Sequence, residues 1–160
     1  MVSVQIRPAK KSDADLTVAL ALRSFDEFIA PDYPDEGIAH FYANVTVDGL
    51  VATINDGCIV LVATVDETLA GVAQVRDETH ITWLYVDKAY HGCGIGRALV
   101  VSAAEQLRER TPAATELTLN SSPFAVPIYV RMGFQVSGPD KTKHGMRFTP
   151  MRAAIGTFIK

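Results

Sequence analysis

Three glycines at alternate positions, Gly92, Gly94 and Gly96, lie in the segment YHGCGIGRAL (90–99). The segment follows an apolar run and precedes a long pattern typical of a helix. A glycine-rich turn that opens a helix directs backbone N–H groups and the positive end of the helix dipole to one point, which suits a phosphate. Glycine is favoured there because a Cβ would block the ligand or because φ is positive. The segment predicts an anion site, with an empty tight turn as the alternative.

Two common phosphate loops do not match this segment. A P-loop requires G-x-x-x-x-G-K-[S/T], and no Lys-Ser or Lys-Thr pair follows these glycines. A dinucleotide-binding loop requires G-x-G-x-x-G and an acidic residue after the next strand, whereas this chain reads G-x-G-x-G-R without such a residue. The phosphate, if bound, therefore belongs to a different kind of ligand.

The elements that must position this loop follow an α/β pattern. Apolar runs bounded by turn residues predict strands at residues 2–8, 58–66, 69–77, 80–87, 115–120, 134–138 and 145–151. Apolar residues at helical spacing predict helices at residues 13–24, 38–45, 95–110 and 122–132. Pro127 should distort the last helix or delay its start, and the prolines and acids of 28–37 predict a loop. An antiparallel meander from 58 to 87 feeds the glycine loop, so we expect one α/β domain over residues 1–160.

The composition limits the classes of function. Of 160 residues, 48% are hydrophobic and 21% are charged, as in a folded globular domain. A net charge of −3 with scattered Lys and Arg argues against nucleic acid as the main partner. The histidines His40 and His144 have no metal-ligand spacing with Cys58 or with an acidic cluster, so we expect no metal. The longest apolar run is too short to cross a membrane, and residues 16–22 fit an amphipathic helix rather than a signal peptide. We expect a cytoplasmic protein.

The residues LYVDKAYHGCGIGRAL (84–99) resemble the acetyl-CoA-binding motif of the GCN5-related N-acetyltransferases (GNAT family), written [Q/R]-x-x-G-x-[G/A]. The segment NSSPFAVPIYVRMGF (120–134) is similar to that family's strand Asn, helix Tyr and closing Gly-Phe. The order of strands and helices over 2–151 also agrees. His91 departs from the usual Gln or Arg, which should weaken the site rather than abolish it. The resemblance implies an α/β (α+β) fold, with a mixed, mostly antiparallel central sheet flanked by helices.

The resemblance also implies the activity, which is transfer of the acetyl group of acetyl-CoA to a primary amine by direct attack in a ternary complex. The pantetheine arm is expected along the strand at Leu84 and Val86, where a backbone N–H would polarise the thioester carbonyl, with Asn120 bonding the pantetheine amides. The pyrophosphate is expected on the backbone of the glycine loop. The loop residues expected to hold the cofactor are His91, Gly92, Cys93, Gly94, Ile95, Gly96 and Arg97.

Two side chains match positions of proton transfer in that family. Tyr129 matches the general acid. Because a thiol has a pKa of about 8.5 and a tyrosine about 10, we expect Tyr129 to act through a hydrogen bond to the departing sulfur or with a lowered pKa, with a tyrosine packed on the core as the alternative. His80 matches a position for a base and should act through water, with a structural strand-edge histidine as the alternative. Strand alternation places His80 on the face of Leu84 and Val86, and Glu78 is the reserve candidate.

The acceptor is not specified by the motifs. Tyr33 and Asp32 lie in the segment where the family often builds its acceptor pocket, so they are expected to contact a small-molecule or peptide amine, with a solvated loop as the alternative. A protein lysine or an N-terminal amine is an alternative acceptor. A non-catalytic acyl-CoA sensor or interaction module is the alternative function, and the presence of both Tyr129 and His80 favours the enzyme. A homodimer is possible because dimers are frequent in the family. A Cys93–His91 nucleophile pair is disfavoured because no third group orients it.

Overall fold

The computed structural model describes residues 3–159 of the chain. Val2, which the sequence includes in the first strand, lies outside the described residues. The strands are β1 (Val4–Pro8), β2 (Ile59–Val65), β3 (Thr68–Arg76), β4 (His80–Val86), β5 (Glu116–Ser121), β6 (Gln135–Val136), β7 (Lys141–Lys143) and β8 (Met146–Ala154). The α-helices are α1 (Ala14–Ser24), α2 (Asp35–Asn44), α3 (Val47–Asn55), α4 (Ile95–Arg110) and α5 (Val126–Met132).

The strands form a mixed, mostly antiparallel sheet flanked by helices, as predicted. Its order is β1-β2-β3-β4-β5-β8-β6, and β7 pairs with β8 at one side. The β2-β3-β4 meander is antiparallel, which confirms the sequence pattern. The pairing of β4 with β5 is parallel, and it follows the crossover through the glycine loop and α4.

The β4–β5 pairing is short, and this opens the sheet. The ladder contains only His80 with Thr118 and Ile81 with Leu119. Beyond Ile81 the two strands separate, so the C-terminal half of β4 has a strand partner only on its β3 side. Backbone groups on an unpaired strand edge are available to a ligand. The fold therefore supplies a gap in its own sheet directly before the glycine loop.

Each face of the sheet carries its own hydrophobic core. One face packs against α4 through fully buried side chains such as Leu99 and Leu107. The other face packs against α1, α2 and α3 through Leu20, Phe41 and Leu50. Because the gap between β4 and β5 lies between these two cores, groups from both sides of the sheet can reach it.

A β-bulge interrupts the alternation of side chains that the sequence predicts for β4. Gln74 pairs with Trp83 and Val75 pairs with Ile81, so Thr82 has no partner in the ladder. The Gln74 amide donates a hydrogen bond of 2.8 Å to the Thr82 hydroxyl, which holds the bulge. An extra residue reverses the facing of the residues that precede it. Ile81 therefore packs in the same core as Leu84, and Trp83 and Tyr85 pack in the opposite one.

His80 consequently lies on the face opposite to Leu84 and Val86, and the predicted shared face is wrong. Its parallel partner Thr118 stands between Leu117 and Leu119, which point into the α4 core, so Thr118 points away from it. His80 Nδ1 lies 2.8 Å from Thr118 Oγ1 on that side.

Three further differences from the sequence pattern concern local structure. The predicted loop 28–37 is largely helical, because α1 continues as a π-helical turn (Phe25–Ile29) and a 3₁₀ turn (Ala30–Asp32) before α2 starts at Asp35. The sequence pattern did not predict α3 or the short strand β7. The predicted helix 122–132 begins only at Val126, in agreement with the delay expected from Pro127.

Candidate active site

A cavity of about 490 Å³ lies where β4 separates from β5, at the N-terminus of α4. Its walls come from the end of β4, the glycine loop with the first turn of α4, helix α5, and the start of the π-helical turn after α1. The lining residues that the sequence predicted as site residues are Leu84, Val86, His91, Gly92, Gly94, Ile95, Gly96, Arg97 and Tyr129. The two segments that carry the family resemblance therefore meet around one space.

The glycine loop has the backbone conformation that an anion cradle requires. Gly92 and Gly94 both have φ of 79°, a left-handed conformation that favours glycine. Gly94 is the N-cap of α4, and the first backbone hydrogen bond across this boundary runs from Ala98 N–H to the Gly94 carbonyl at 3.0 Å. The N–H groups of the first turn therefore have no acceptor within the helix and are available to a ligand.

The edge of β4 offers backbone groups to the gap. Asp87 N–H donates to the Ala70 carbonyl at 2.8 Å, so residue 87 bonds towards β3. In an antiparallel ladder alternate residues face the same neighbour, so Tyr85 also bonds towards β3. The N–H and C=O groups of Leu84 and Val86 consequently point into the gap, where an extended ligand can pair with them like an added strand.

His91 closes the end of this edge. Its Nε2–H donates a hydrogen bond of 2.8 Å to the Val86 carbonyl. Its ring lies 5.1 Å from that of Phe28, which in turn stacks at 5.1 Å on Phe124 from the β5–α5 connection. These three rings connect the glycine loop, the π-helical turn and the β5–α5 connection around the cavity.

Tyr129 enters the cavity from α5. Its ring packs edge-on against Phe134 at 5.6 Å, and helix α5 ends at Gly133, whose φ of 113° makes the C-terminal cap. Burial raises the pKa of the Tyr129 phenol, so the hydroxyl keeps its proton at neutral and moderately alkaline pH. The side chain can therefore donate a hydrogen bond but is a poor source of a free proton.

Arg97 fastens α4 to α5. Its Nη1 donates a hydrogen bond of 3.1 Å to the Met132 carbonyl at the end of α5, and its guanidinium lies 5.8 Å from the centre of the Phe158 ring. A Cβ at Gly96 would lie 3.2 Å from the Met132 methyl, so glycine permits this close approach of the two helices. The walls that carry the glycine loop and Tyr129 are thereby held at a fixed separation.

The other predicted site residues lie outside the cavity lining. Cys93 and Asn120 are exposed beside it, and Glu78 is an exposed turn residue with φ of 69° between β3 and β4. His80 stands four residues before Leu84, which is roughly 13 Å along a strand. Burial lowers the pKa of His80, so its imidazole is neutral at neutral pH and is able to accept a proton.

Tyr33 and Asp32 lie on the face of the α1–α2 core. The Tyr33 hydroxyl donates a hydrogen bond of 2.8 Å to the Arg147 carbonyl, while Asp32 is exposed in the 3₁₀ turn. Burial, and secondarily the charge of Asp32, raises the pKa of Tyr33. Neither residue lines the cavity, but Tyr85 does, and it packs in the same core as Tyr33.

Several lining residues were missed from the sequence. Tyr85 stands between Leu84 and Val86, so its position on the strand could have indicated it. Phe124 and Arg131 lie inside the segment 120–134 but match no motif position. Nothing in the sequence indicated Phe28, because this residue reaches the cavity only through the π-helical turn.

In the part of the chain from 3 to 159, no group of three or more His, Cys, Asp or Glu side chains is arranged to hold a metal ion. No helix of that part is long and apolar enough to cross a membrane.

Comparison with solved structures gives the same architecture. A GCN5-related N-acetyltransferase from Rhodopseudomonas palustris is 24% identical over 96% of this chain and 98% of that chain, with a TM-score of 0.79. The PaiA N-acetyltransferase from Thermoplasma acidophilum, in complex with coenzyme A, is 20% identical over 95% and 99%, with a TM-score of 0.79. YncA from Salmonella typhimurium, with its cofactor acetyl-CoA, is 19% identical over 96% and 94%, with a TM-score of 0.71. At these identities the likeness establishes the fold.

A comparison of the sequence with models of protein families identifies the family of this chain. A search among curated proteins gives no significant match. The model of the acetyltransferase (GNAT) domain family matches residues 29–155, which include the sheet gap, the glycine loop and Tyr129. The solved structures confirm the predicted fold, and the family match confirms the predicted enzyme class, an acetyltransferase. The chain belongs to the GNAT acetyltransferase family.

Proposed function

We propose that the protein is an N-acetyltransferase that moves the acetyl group of acetyl-CoA to a primary amine of a small molecule or peptide. The observation that carries this proposal is one cavity that joins an open strand edge, a helix N-terminus and a protonated tyrosine. Each of these features supplies one requirement of acyl transfer from a thioester. The proposal treats residues 1–160 as one domain in the cytoplasm, with no nucleic acid or membrane partner and with a possible homodimer.

Acetyl-CoA binding rests mainly on the backbone. The pyrophosphate accepts hydrogen bonds from the N–H groups of Gly92–Arg97, where the dipole of α4 also favours negative charge. The pantetheine arm lies in the gap and pairs with Leu84 and Val86, and the exposed Asn120 amide bonds the arm from the β5 side. Because His91 already donates to the Val86 carbonyl, the arm pairs with the Leu84 carbonyl and with one of the N–H groups of Leu84 and Val86, and the other N–H is left for the thioester carbonyl.

The chemical step forms a C–N bond and breaks a C–S bond. The neutral amine attacks the thioester carbonyl carbon, and the resulting oxyanion accepts a hydrogen bond from a β4 backbone N–H at Leu84 or Val86. The carbon–sulfur bond then breaks, and the sulfur leaves as coenzyme A thiolate. Tyr129 donates a hydrogen bond to this sulfur, and the proton lost by the amine ultimately balances the charge of the thiolate.

The amine loses its proton through a base on the acceptor side. His80 is neutral and its Nδ1 is engaged with Thr118, so Nε2 is the nitrogen that takes part. Its separation from Leu84 requires at least one water between His80 and the amine. Glu78 is the reserve base and reaches the amine only through a longer water chain.

The acceptor amine approaches from the α1–α2 face, opposite to α4. Tyr85 lines the cavity and belongs to the core of that face, so it marks the passage between the cavity and the acceptor side. Tyr33 and Asp32 border this side, and a carboxylate beside a phenol suits a cationic amine before it is deprotonated. A protein lysine or an N-terminal amine fits the same chemistry as an alternative acceptor.

An acetylation screen tests the function. The enzyme is incubated with acetyl-CoA and a panel of polyamines, amino acids, aminoglycosides, peptides with free N-termini and lysine peptides, and products are read by mass. We expect an added acetyl group on one class of amine, with stoichiometric release of thiol. Binding of acetyl-CoA without acetylation of any amine would support the acyl-CoA sensor instead.

A further inference from the structure

Two arginines, Arg97 and Arg131, line the cavity, and the guanidinium of Arg97 is already engaged. Arg97 donates to the Met132 carbonyl and lies over the Phe158 ring, so its side chain holds α4 against α5. If Arg97 released these contacts to bind a phosphate, the wall that carries Tyr129 would lose its fastening. The contribution of Arg97 to an anion is therefore its backbone N–H.

Arg131 is the second guanidinium, and it has no such engagement. It lies one helical turn from Ile128 on α5, and both residues line the cavity. Arg131 is exposed and forms no ion pair with any residue between 3 and 159. No carboxylate lines the cavity, so nothing in the lining competes for this charge.

Coenzyme A has more negative charge than the glycine loop can accommodate. The loop and the start of α4 offer N–H groups to one pyrophosphate, but the ribose of coenzyme A also carries a 3′-phosphate. A phosphate monoester is close to a dianion at neutral pH, and a planar guanidinium binds it with two parallel hydrogen bonds. On the basis of the proposed acetyl-CoA site, we propose that Arg131 binds the 3′-phosphate of coenzyme A and selects for cofactors that carry it.

Calorimetric titration with coenzyme A and with 3′-dephospho-coenzyme A tests this assignment. Wild-type protein should bind coenzyme A about tenfold more tightly than the dephospho form. Arg131→Ala should bind coenzyme A about tenfold more weakly than wild type does, with an unchanged Kd for the dephospho form. Arg131→Lys should recover part of the difference. Because the site is exposed, the preference should shrink as salt rises from 0.1 M to 1 M.

Arg108→Ala is the matched control, since Arg108 is an exposed arginine near the far end of α4, outside the cavity. It should leave both Kd values unchanged. Equal weakening of both ligands in Arg131→Ala, or no preference in the wild type, would overturn the assignment while the proposed function remains. Failure of the wild type to bind either ligand would instead refute the proposed acetyl-CoA site itself.

Discussion

Tyr129 combines a position in the cavity with a pKa that burial raises. Full proton transfer from such a phenol to a thiolate is uphill, because the thiol pKa is near 8.5. A hydrogen bond to the departing sulfur has no such cost, and it strengthens as negative charge develops on the sulfur. In the proposed reaction, Tyr129 is therefore expected to stabilise the transition state more than the bound substrates.

Replacing Tyr129 with phenylalanine removes only the hydroxyl. We expect kcat to fall about tenfold to hundredfold, with little change in the KM for acetyl-CoA, because a hydrogen bond to a charged group contributes about 1.5–3 kcal/mol. The raised pKa keeps the phenol protonated, so the loss should be the same factor at every pH from 6 to 9. Steady-state kinetics over this range measure it. An unchanged kcat would remove Tyr129 from the chemistry, and a loss that shrinks at alkaline pH would indicate an acid that titrates in this range.

The sequence predicted where single residues need a special backbone conformation, but it did not predict which partners their side chains contact. The glycine spacing predicted a tight turn at a helix N-terminus, where glycine is needed for close approach of a ligand or for a positive φ, and Gly92 and Gly94 both have a positive φ. Nothing local indicates that the Arg97 guanidinium holds Met132, because that contact spans 35 residues of sequence. The face of His80 was also mispredicted, since the bulge at Thr82 depends on pairing with β3.

Among the elements, strong periodicity was reliable and weak periodicity was not. Helix α4 agrees with its predicted bounds of 95–110 because its apolar residues recur at helical spacing over a long segment. Helix α3 was missed, although its Thr46 cap accepts a hydrogen bond of 3.1 Å from Gly49 N–H. Its β-branched residues have low helix propensity, and packing against α1 and β2 overrides that propensity. The polar strand β7 has no apolar alternation to detect.

Helix α2 and the β7–β8 turn meet through two glycines. A Cβ built on Gly37 would lie 2.6 Å from the Gly145 carbonyl oxygen, and Gly145 itself has φ of 76°. Both elements border the proposed acceptor side, where Tyr33 bonds to the carbonyl of Arg147 on β8. The close contact therefore helps to fix the position of the segment that is expected to hold the amine.

Gly37→Ala tests this contact. Alanine normally stabilises a helix relative to glycine by about 0.8–1 kcal/mol, but the clash with backbone cannot be relieved by rotating a side chain. We expect a net loss of about 1–3 kcal/mol in the free energy of unfolding, measured by denaturant titration. Gly156→Ala is the control, since a Cβ there meets nothing within 4 Å and should change stability by less than about 0.5 kcal/mol. Stabilisation by Gly37→Ala would contradict the packing.

In the whole molecule, two cores support a sheet that is open at one place. The α4 core holds the glycine loop and Tyr129, and the α1–α2–α3 core holds Tyr85 and Tyr33. The gap between β4 and β5 joins the two sides, so a cofactor from one side and an amine from the other can meet within it. The sequence motifs predicted the cofactor side. The acceptor side depends on packing between distant segments and carries no motif.

Acetyl-CoA is expected to bind at the glycine loop. Thermal unfolding with acetyl-CoA at a hundred times its Kd should show about 2.7 kcal/mol of added stability, or about 5–10 °C in Tm. Gly94 and Gly57 have φ of 79° and 80° with open space around each, so alanine should strain both turns alike. We predict that Gly57→Ala keeps the full acetyl-CoA stabilisation and that Gly94→Ala loses most of it. No stabilisation of the wild type, or equal stabilisation of the two variants, would contradict the account.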